Sequence, residues 1–146
     1  MNDKIKCEIR KLCENSTINY LASINEDGFP QMKAMLTMKQ SNMTAHYFST
    51  NTSSLRKAQL SKNPKASVYY CDPGGFKGAL FTGTIEVRTD REIKARLWRE
   101  GDEMYYPKGI DDEDYCVFKF TAETVNFYDG DGNNATYKIE ELTQNE

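Results

Sequence analysis

Hydrophobic and polar residues alternate along the chain with two spacings, one typical of helices and one typical of strands. Over residues 3–14, the residues Ile5, Ile9, Leu12 and Cys13 recur at helical spacing with charged residues between them, which predicts an amphipathic helix. Two shorter helices are predicted over 54–64 and 90–101. Apolar runs bounded by turn residues predict strands over 17–24, 31–39, 44–49, 65–71, 76–89, 115–122, 124–130 and 135–139.

This series of short antiparallel strands with a few small helices predicts a mainly β fold. Closing a sheet into a barrel removes its exposed edges, so we expect a small β-barrel with peripheral helices. The predicted strand over 76–89 is long and contains Gly78 and Gly83, which indicates a bulge or a close backbone approach. A length of 146 residues fits one domain, so we expect residues 1–146 to form a single domain.

Charge and composition argue against several classes of protein. The net charge is −3 and no extended basic stripe is present, so we expect neither a nucleic acid nor a membrane surface as partner. The start of the chain, "MNDKIKCEIRKLCENS", is charged throughout, and no apolar run approaches membrane-spanning length, which predicts a cytoplasmic protein. The four cysteines form no CxxC pair, so neither a zinc site nor a thioredoxin-like motif is expected.

Hydroxyl and amide side chains accumulate where a predicted strand ends and the predicted helix over 54–64 begins. Residues 49–54 are "STNTSS", and Arg56 and Lys57 follow. In one interpretation, Ser53 or Ser54 is an ordinary N-cap that accepts a hydrogen bond from the first helical turn. In the other, backbone N–H groups, hydroxyls and two cations together form a cradle for a phosphate group. The local sequence leaves both interpretations open.

Several strings of the chain, in this order and spacing, resemble the pyridoxamine 5′-phosphate oxidase-like split-barrel family, particularly its general stress protein branch. The strings are "NYLASINEDGFPQMKAM", "YFSTNTSSLRKAQLSKNPKASVYY", "GTIEVRTDREIKARLW" and "YYPKGIDDEDYCVFKFTAETVNFYDG". The resemblance covers roughly residues 15–130. It implies a split β-barrel of six strands and a homodimer that holds FMN in two clefts at the subunit interface.

The resemblance also gives the hydroxyl-rich segment a role in binding the FMN phosphate. In the family's phosphate motif, a Thr is followed four residues later by a Ser and then by an Arg-Lys pair. These positions fall on Thr50, Ser54, Leu55 and Arg56. Leu55 replaces the customary Arg, Arg56 stands where Lys is usual, and Lys57 lies one step beyond. Because Arg56 keeps the charge and adds a fork of donors, the cradle is expected to persist.

The neighbouring strand is expected to supply a second cation and the wall beside the flavin ring. Lys33-Ala34-Met35 matches a family string that begins with Arg, and the backbone around Met35 and Leu36 would face the ring. The cofactor-binding residues implied by the resemblance are Lys33, Ala34, Met35, Leu36, Ser49, Thr50, Ser54, Arg56 and Lys57. Tyr128 matches a family Trp that lines the flavin cleft.

The implied activity is that of a dimeric FMN-binding oxidoreductase with an unassigned substrate and NADH or NADPH as a possible donor. Pyridoxamine-phosphate oxidase activity itself is not expected, because the C-terminal segment "ATYKIEELTQNE" lacks the Arg-x-His string that grips that substrate. Two alternatives remain open: a non-catalytic flavin-binding stress protein that acts as a reservoir or sensor, and a split-barrel dimer without cofactor. Related barrels bind a deazaflavin or heme, and FMN is the expected cofactor here.

Three other features suggest chemistry but are interpreted as structural. His46 lies in a predicted strand without nearby ligand spacing, so we expect a packed or surface imidazole. Residues 129–140 place acidic and amide residues at calcium-loop positions, yet Asn134 stands where the loop needs Gly, so a hairpin turn is expected. The acidic run "IDDEDY" over 110–115 is interpreted as a structural surface loop.

Overall fold

The structure is a computed structural model that describes residues 2–144. Four α-helices and seven β-strands follow one another in the order α1 (Asn2–Asn15), β1 (Ile18–Ile24), β2 (Pro30–Leu36), β3 (Ala45–Asn51), α2 (Leu55–Lys62), β4 (Lys65–Asp72), β5 (Lys77–Arg88), α3 (Arg91–Leu97), β6 (Tyr115–Tyr128), β7 (Asn134–Lys138) and α4 (Ile139–Leu142). Two short 3₁₀ turns, Asp102–Met104 and Gly109–Asp111, lie between α3 and β6.

The seven strands form one antiparallel sheet with the order β2-β1-β4-β5-β6-β3, and β7 adds to β6. Every pair of neighbouring strands is antiparallel. The predicted mainly β architecture with peripheral helices is therefore confirmed, and it is the split-barrel fold. The sheet has seven strands rather than the six implied by the resemblance, because β7 pairs with the second half of β6.

The barrel interior is filled by apolar side chains from the strands, and α1 covers it. Ile5, Ile9 and Leu12, the residues whose spacing predicts α1, are all buried in this core. They lie with Phe81 and Phe118 from the two long strands β5 and β6. A second, smaller apolar cluster lies between α3 and the outer side of β3 and β6. The helical periodicity thus correctly identifies the buried face of α1.

A β-bulge bends the two long strands, as Gly83 predicts. Thr82 lies opposite Thr124, but Gly83 lies opposite Ala122, so Glu123 is an extra residue in β6. A Cβ atom on Gly83 would lie 2.0 Å from the Thr121 carbonyl oxygen, and only glycine allows this approach. Gly78 also permits a close approach, in this case of the Tyr69 and Tyr128 side chains.

The structure corrects two predicted boundaries and adds one element. The predicted strands over 115–122 and 124–130 are a single strand, because the polar Glu123 is the bulge residue and not a break in the chain's pairing. The predicted strand over 31–39 ends at Leu36. The sequence also did not predict α4, whose Ile139 and Leu142 are buried. Within residues 2–144, no helix is both long enough and apolar enough to cross a membrane.

Gly83→Ala is expected to lower the free energy of unfolding by about 2 to 4 kcal/mol, because the added methyl group must displace the backbone of β6. Urea denaturation followed by circular dichroism measures the loss. Gly74→Ala is the matched control, since its Cβ would meet only the Asp72 side chain at 3.4 Å and little change is expected. Equal losses in the two variants would contradict the steric explanation.

Candidate functional site

The start of α2 is built around Ser54. Its hydroxyl oxygen accepts a hydrogen bond from the backbone N–H of Lys57 at 3.1 Å, and its extended backbone is typical of an N-cap. Of the two serines considered in the sequence, Ser54 is therefore the cap. The hydroxyl hydrogen of Ser54 is not used by this bond, so it remains able to donate to a ligand. Capping and phosphate binding are compatible at this residue.

Asp114 holds the loop that connects β3 to α2. One carboxylate oxygen accepts from the side-chain amide of Asn51 at 2.7 Å, and the other accepts from the backbone N–H of Ser53 at 2.8 Å. The backbone N–H of Thr52 donates to the Asp114 carbonyl at 2.8 Å. The hydrogen bonds from Asn51 and Ser53 lower the pKa of the Asp114 carboxyl below its ordinary value. Asp114 is therefore an ionised anchor for the loop.

A cleft of about 400 Å³ separates the start of α2 from the start of β2. Arg56 lines the cleft, and its Nε is buried without a hydrogen-bond partner among the residues that the structure describes. A buried donor without an acceptor is costly, so this guanidinium favours an anion beside it. The other residues that line the cleft are Pro30, Gln31, Met32, Leu55 and Gln59.

The four predicted residues of β2 divide between the two faces of the sheet. Lys33 and Met35 point to one face, where Met35 is buried in the barrel core. Ala34 and Leu36 point to the other face and are exposed. Because side chains alternate along a strand, these four side chains cannot all contact one ligand face. Lys33 is exposed and does not line the cleft that contains Arg56.

Two of the predicted residues of β3 also point in opposite directions. Thr50 is buried and lies opposite Cys116 on β6. Ser49 lies on the other face, with its hydroxyl 3.4 Å from that of Tyr115. Lys57, on the first turn of α2, is half-buried. Burial raises the pKa of Cys116, and the nearby positive charge of Lys57 partly offsets this rise. The structure thus gathers Ser54, Arg56 and Lys57 at one helix end.

The sequence did not identify the polar residues that support this helix end. The sequence predicts only a structural surface loop around Asp114, and nothing in the local sequence distinguishes it from its acidic neighbours. Gln59 is also new: its buried side chain accepts a hydrogen bond from Ser23 of β1 at 2.7 Å. This bond fixes α2 against the sheet. The contacts of Asp114 and of Gln59 join residues that are far apart in the chain, so the spacing of residues in the sequence cannot predict them.

Tyr128 lies apart from the start of α2, at the far end of β6. Its hydroxyl is hydrogen-bonded to that of Tyr69 on β4, and its ring packs edge-on against Phe76 with the ring centres 5.5 Å apart. Partial burial raises the pKa of Tyr69 above its ordinary value, and the bond to Tyr128 adds to this effect. Tyr128 does not line the cleft that contains Arg56.

A second cavity, of about 620 Å³, lies between the end of α1 and the β2–β3 connection, with His46 and Tyr70 among its lining residues. His46 is buried, as a packed imidazole should be, and its ring lies 4.5 Å from that of Phe81. Its Nε2 lies 3.3 Å from the Met43 carbonyl, which only accepts, so Nε2 carries the proton. The Tyr70 hydroxyl then donates to Nδ1 at 2.7 Å.

The segment with calcium-loop spacing is a hairpin turn. The backbone N–H of Asp129 donates to the Asn133 carbonyl at 3.1 Å, and the Asn133 side chain donates to the Asp129 carboxylate at 2.7 Å. The two residues close the turn between β6 and β7. Within the described part of the chain, no group of three or more His, Cys, Asp or Glu side chains is arranged to hold a metal ion.

Comparison with known proteins identifies the family. The family model for pyridoxamine 5′-phosphate oxidase matches residues 5–129. The chain belongs to the pyridoxamine 5′-phosphate oxidase family. A family member of known structure, related to general stress protein 26 of Bacillus subtilis and found in Clostridium acetobutylicum, shares 40% sequence identity with a TM-score of 0.87. The alignment covers 97% of this chain and 99% of that one. No curated protein matches the chain.

More distant structures share the fold of this pyridoxamine 5′-phosphate oxidase family member. General stress protein 26 from Bacillus anthracis is 16% identical with a TM-score of 0.74, and the match covers 91% of this chain and 98% of that one. A heme binding protein from Mycobacterium smegmatis is 18% identical with a TM-score of 0.73, with coverage of 92% and 58% respectively. The resemblance inferred from the sequence, including its general stress protein branch, is confirmed.

The pH dependence of stability should report the burial of His46. Burial lowers the pKa of His46 from 6.5 to about 4, so the folded protein resists protonation that the unfolded chain accepts. The stabilising contribution is therefore complete above pH 6.5 and is lost as the pH falls towards about 4. Relative to His46→Gln, the wild type should lose about 3 kcal/mol of unfolding free energy over this range.

Urea denaturation of both proteins at a series of pH values measures this difference. The carboxylates titrate in both proteins, so their effect on the unfolding free energy cancels in the difference between the wild type and His46→Gln. A wild-type-to-variant difference that stays constant with pH would show that His46 is protonated in the folded state as readily as in the unfolded chain.

Proposed function

We propose that the chain is a single-domain, homodimeric, FMN-binding oxidoreductase whose phosphate site lies at the start of α2. The observation that carries the proposal is the buried Nε of Arg56, which lines a cleft and has no acceptor among the described residues. A phosphate oxygen is the kind of acceptor that a guanidinium prefers. Family membership supports the choice of FMN as the source of that phosphate.

In this proposal the role of each binding residue follows from its chemistry. Arg56 and Lys57 neutralise the phosphate, and the Ser54 hydroxyl donates its remaining hydrogen to it. The first-turn N–H groups of α2 have no intrahelical acceptor and add to the same attraction. Ser49 and Thr50 lie on opposite faces of β3, so one of their two hydroxyls is assigned to the phosphate or ribityl oxygens. Lys33, which lies outside the Arg56 cleft, is assigned to a second positive charge. The backbone of residues 33–36 is assigned to the ring.

The bound flavin would supply the hydride or electron chemistry, and the chain's own residues would bind it, orient it and exclude water. No side chain is assigned as a general acid or base. The substrate and the acceptor are unassigned, with NADH or NADPH as the proposed donor. The segment "ATYKIEELTQNE" contains no Arg-x-His string, and this supports a substrate other than pyridoxamine 5′-phosphate.

A non-catalytic flavin-binding stress protein is the second candidate, and the 40% identity to a protein related to general stress protein 26 supports its stress-protein part. Heme is a weaker candidate cofactor, although a protein of the same fold binds it. The sequence contains one histidine, and His46 is buried with both ring nitrogens in hydrogen-bonding contacts. A heme with histidine as its axial ligand therefore does not suit this chain.

Titration of the purified protein with FMN, followed by flavin absorbance and fluorescence, tests the proposal. We expect saturable binding of one FMN per chain, and we expect Arg56→Gln to weaken it by about 10- to 100-fold, because a charge-assisted contact to phosphate is lost. Lys62→Gln removes the same charge from the other end of α2 and should leave the affinity unchanged.

The outcomes of this titration separate the candidates. Bound flavin that NADH or NADPH reduces under anaerobic conditions supports the oxidoreductase, while bound flavin that neither reduces supports the non-catalytic flavin-binding protein. Failure of the wild type to bind FMN would overturn the cofactor assignment. Equal effects of Arg56→Gln and Lys62→Gln would overturn the location of the phosphate site.

The exposed face of β1 and β2 supports the proposed homodimer. Met32 and Leu36 of β2 and Ile18 and Tyr20 of β1 lie on one side of the sheet, and each is more than a third exposed. Ile18 is opposite Leu36, and Tyr20 is opposite Ala34, so these side chains form one continuous apolar patch. Apolar patches of this kind mark interaction surfaces, and a second copy of the chain is the occupant we propose.

Met32→Asp should convert the proposed dimer into a monomer, because it would bury an unpaired charge within the apolar patch. Size-exclusion chromatography with light scattering measures the mass. Met104→Asp is the matched control, since Met104 is also an exposed methionine but lies in the turn after α3. A wild-type monomer, or a dimer that persists in Met32→Asp, would contradict this interface.

A further inference from the structure

We propose that Asp114 is a positioning residue that holds the phosphate-binding end of α2 in its binding shape without contacting the phosphate. This inference rests on the proposed function. It assigns a role to the acidic segment before β6, which the sequence had indicated to be only a structural surface loop. The contacts of Asp114 differ from those of its acidic neighbours Asp111 and Asp112.

The register of the sheet brings Asp114 to the loop before α2. Asn51, the last residue of β3, lies opposite Tyr115, the first residue of β6. Asp114 therefore precedes β6 at the point where the chain leaves β3 for α2. Its two carboxylate oxygens accept hydrogen bonds from Asn51 and Ser53, and its carbonyl oxygen accepts one from Thr52. Asp114 therefore contacts three consecutive residues of the chain.

These bonds determine which donors are left for a ligand. The backbone N–H groups of Thr52 and Ser53 are bound to Asp114, and the N–H of Ser54 donates to the Asn51 carbonyl at 3.0 Å. The backbone N–H donors of residues 52–54 are therefore occupied. The N–H groups of Leu55 and Arg56 lie in the first turn of α2 and have no carbonyl acceptor within the helix. They therefore remain able to donate to an anion. The loop bonds fix the position of Ser54 and hence the direction in which α2 begins.

The charge of Asp114 indicates positioning rather than direct binding. A carboxylate repels a phosphate, so it would weaken binding as a direct neighbour. Here its two oxygens are hydrogen-bonded to Asn51 and Ser53, and these bonds lower its pKa. The carboxylate is thus committed to the loop.

The neighbouring acidic residues have other roles. Asp112 accepts from the N–H groups of Lys108 and Asp114 and closes its own turn. Asp111 is exposed and pairs with Arg91 of α3 at 3.0 Å. Of Asp111, Asp112 and Asp114, only Asp114 reaches the loop before α2. A replacement at Asp111 is therefore a close control for one at Asp114.

Titration of Asp114→Asn with FMN and with riboflavin tests the inference. The introduced amide cannot accept from both Asn51 and Ser53, so the loop loses one bond and FMN affinity should fall about tenfold. Riboflavin lacks the phosphate, so its affinity should change less than twofold. Asp111→Asn makes the same chemical change in the same segment and should leave both affinities unchanged.

A double exchange provides the rescue. In Asn51→Asp combined with Asp114→Asn, the new amide donates to the new carboxylate, and its oxygen still accepts from Ser53. FMN affinity should return to within about threefold of the wild type. Asn51→Asp alone sets two carboxylates against each other and should weaken FMN binding.

The outcomes distinguish this inference from the proposed function. If the wild type binds no FMN, the proposed function fails and the inference fails with it. If the wild type binds FMN and Asp114→Asn binds it equally well, the inference alone is wrong. Equal losses for FMN and riboflavin, or a loss of affinity that the double exchange does not restore, would show a general structural role and would also overturn it.

Discussion

The hydrogen-bond ladder of β6 is the interaction on which the rest of the structure depends. One edge of β6 pairs with β5 along nearly its full length, and the other edge pairs first with β3 and then with β7. The bulge at Glu123 lies between these two partners. Because a bulge bends a strand and increases its twist, β6 can follow the curved wall of the barrel while it keeps three neighbours. This arrangement requires glycine at residue 83, because a side chain there would clash with the backbone of β6.

The same ladder builds the candidate site from parts that are far apart in the chain. It fixes Asn51 opposite Tyr115, and so places the acidic segment beside the hydroxyl-rich loop. The bond between Ser23 and Gln59 then holds α2 against β1. The end of α2 is therefore positioned by β1, β3 and β6 together. A site on such a framework is more rigid than its location in a loop would suggest.

Local patterns in the sequence predicted the parts of the fold that local physics determines. The apolar spacing of α1, the capping chemistry at Ser54 and the need for glycine at residue 83 all depend on near neighbours. The continuity of β6 was missed because a polar residue inside a strand resembles a break. The role of Asp114 was missed because its partners lie about sixty residues away, and single-sequence spacing contains no record of such a contact.

The alternation of side chains along β2 has a thermodynamic consequence. Met32, Ala34 and Leu36 face the proposed subunit interface, while the backbone of the same strand is assigned to the flavin ring. One rigid strand would then take part in two equilibria, and by linkage each must shift the other by the same factor. Flavin occupancy would fall as the protein is diluted below its dimer dissociation constant, and added flavin would draw monomers together. Cellular abundance of the chain would thus control how much of it carries a cofactor.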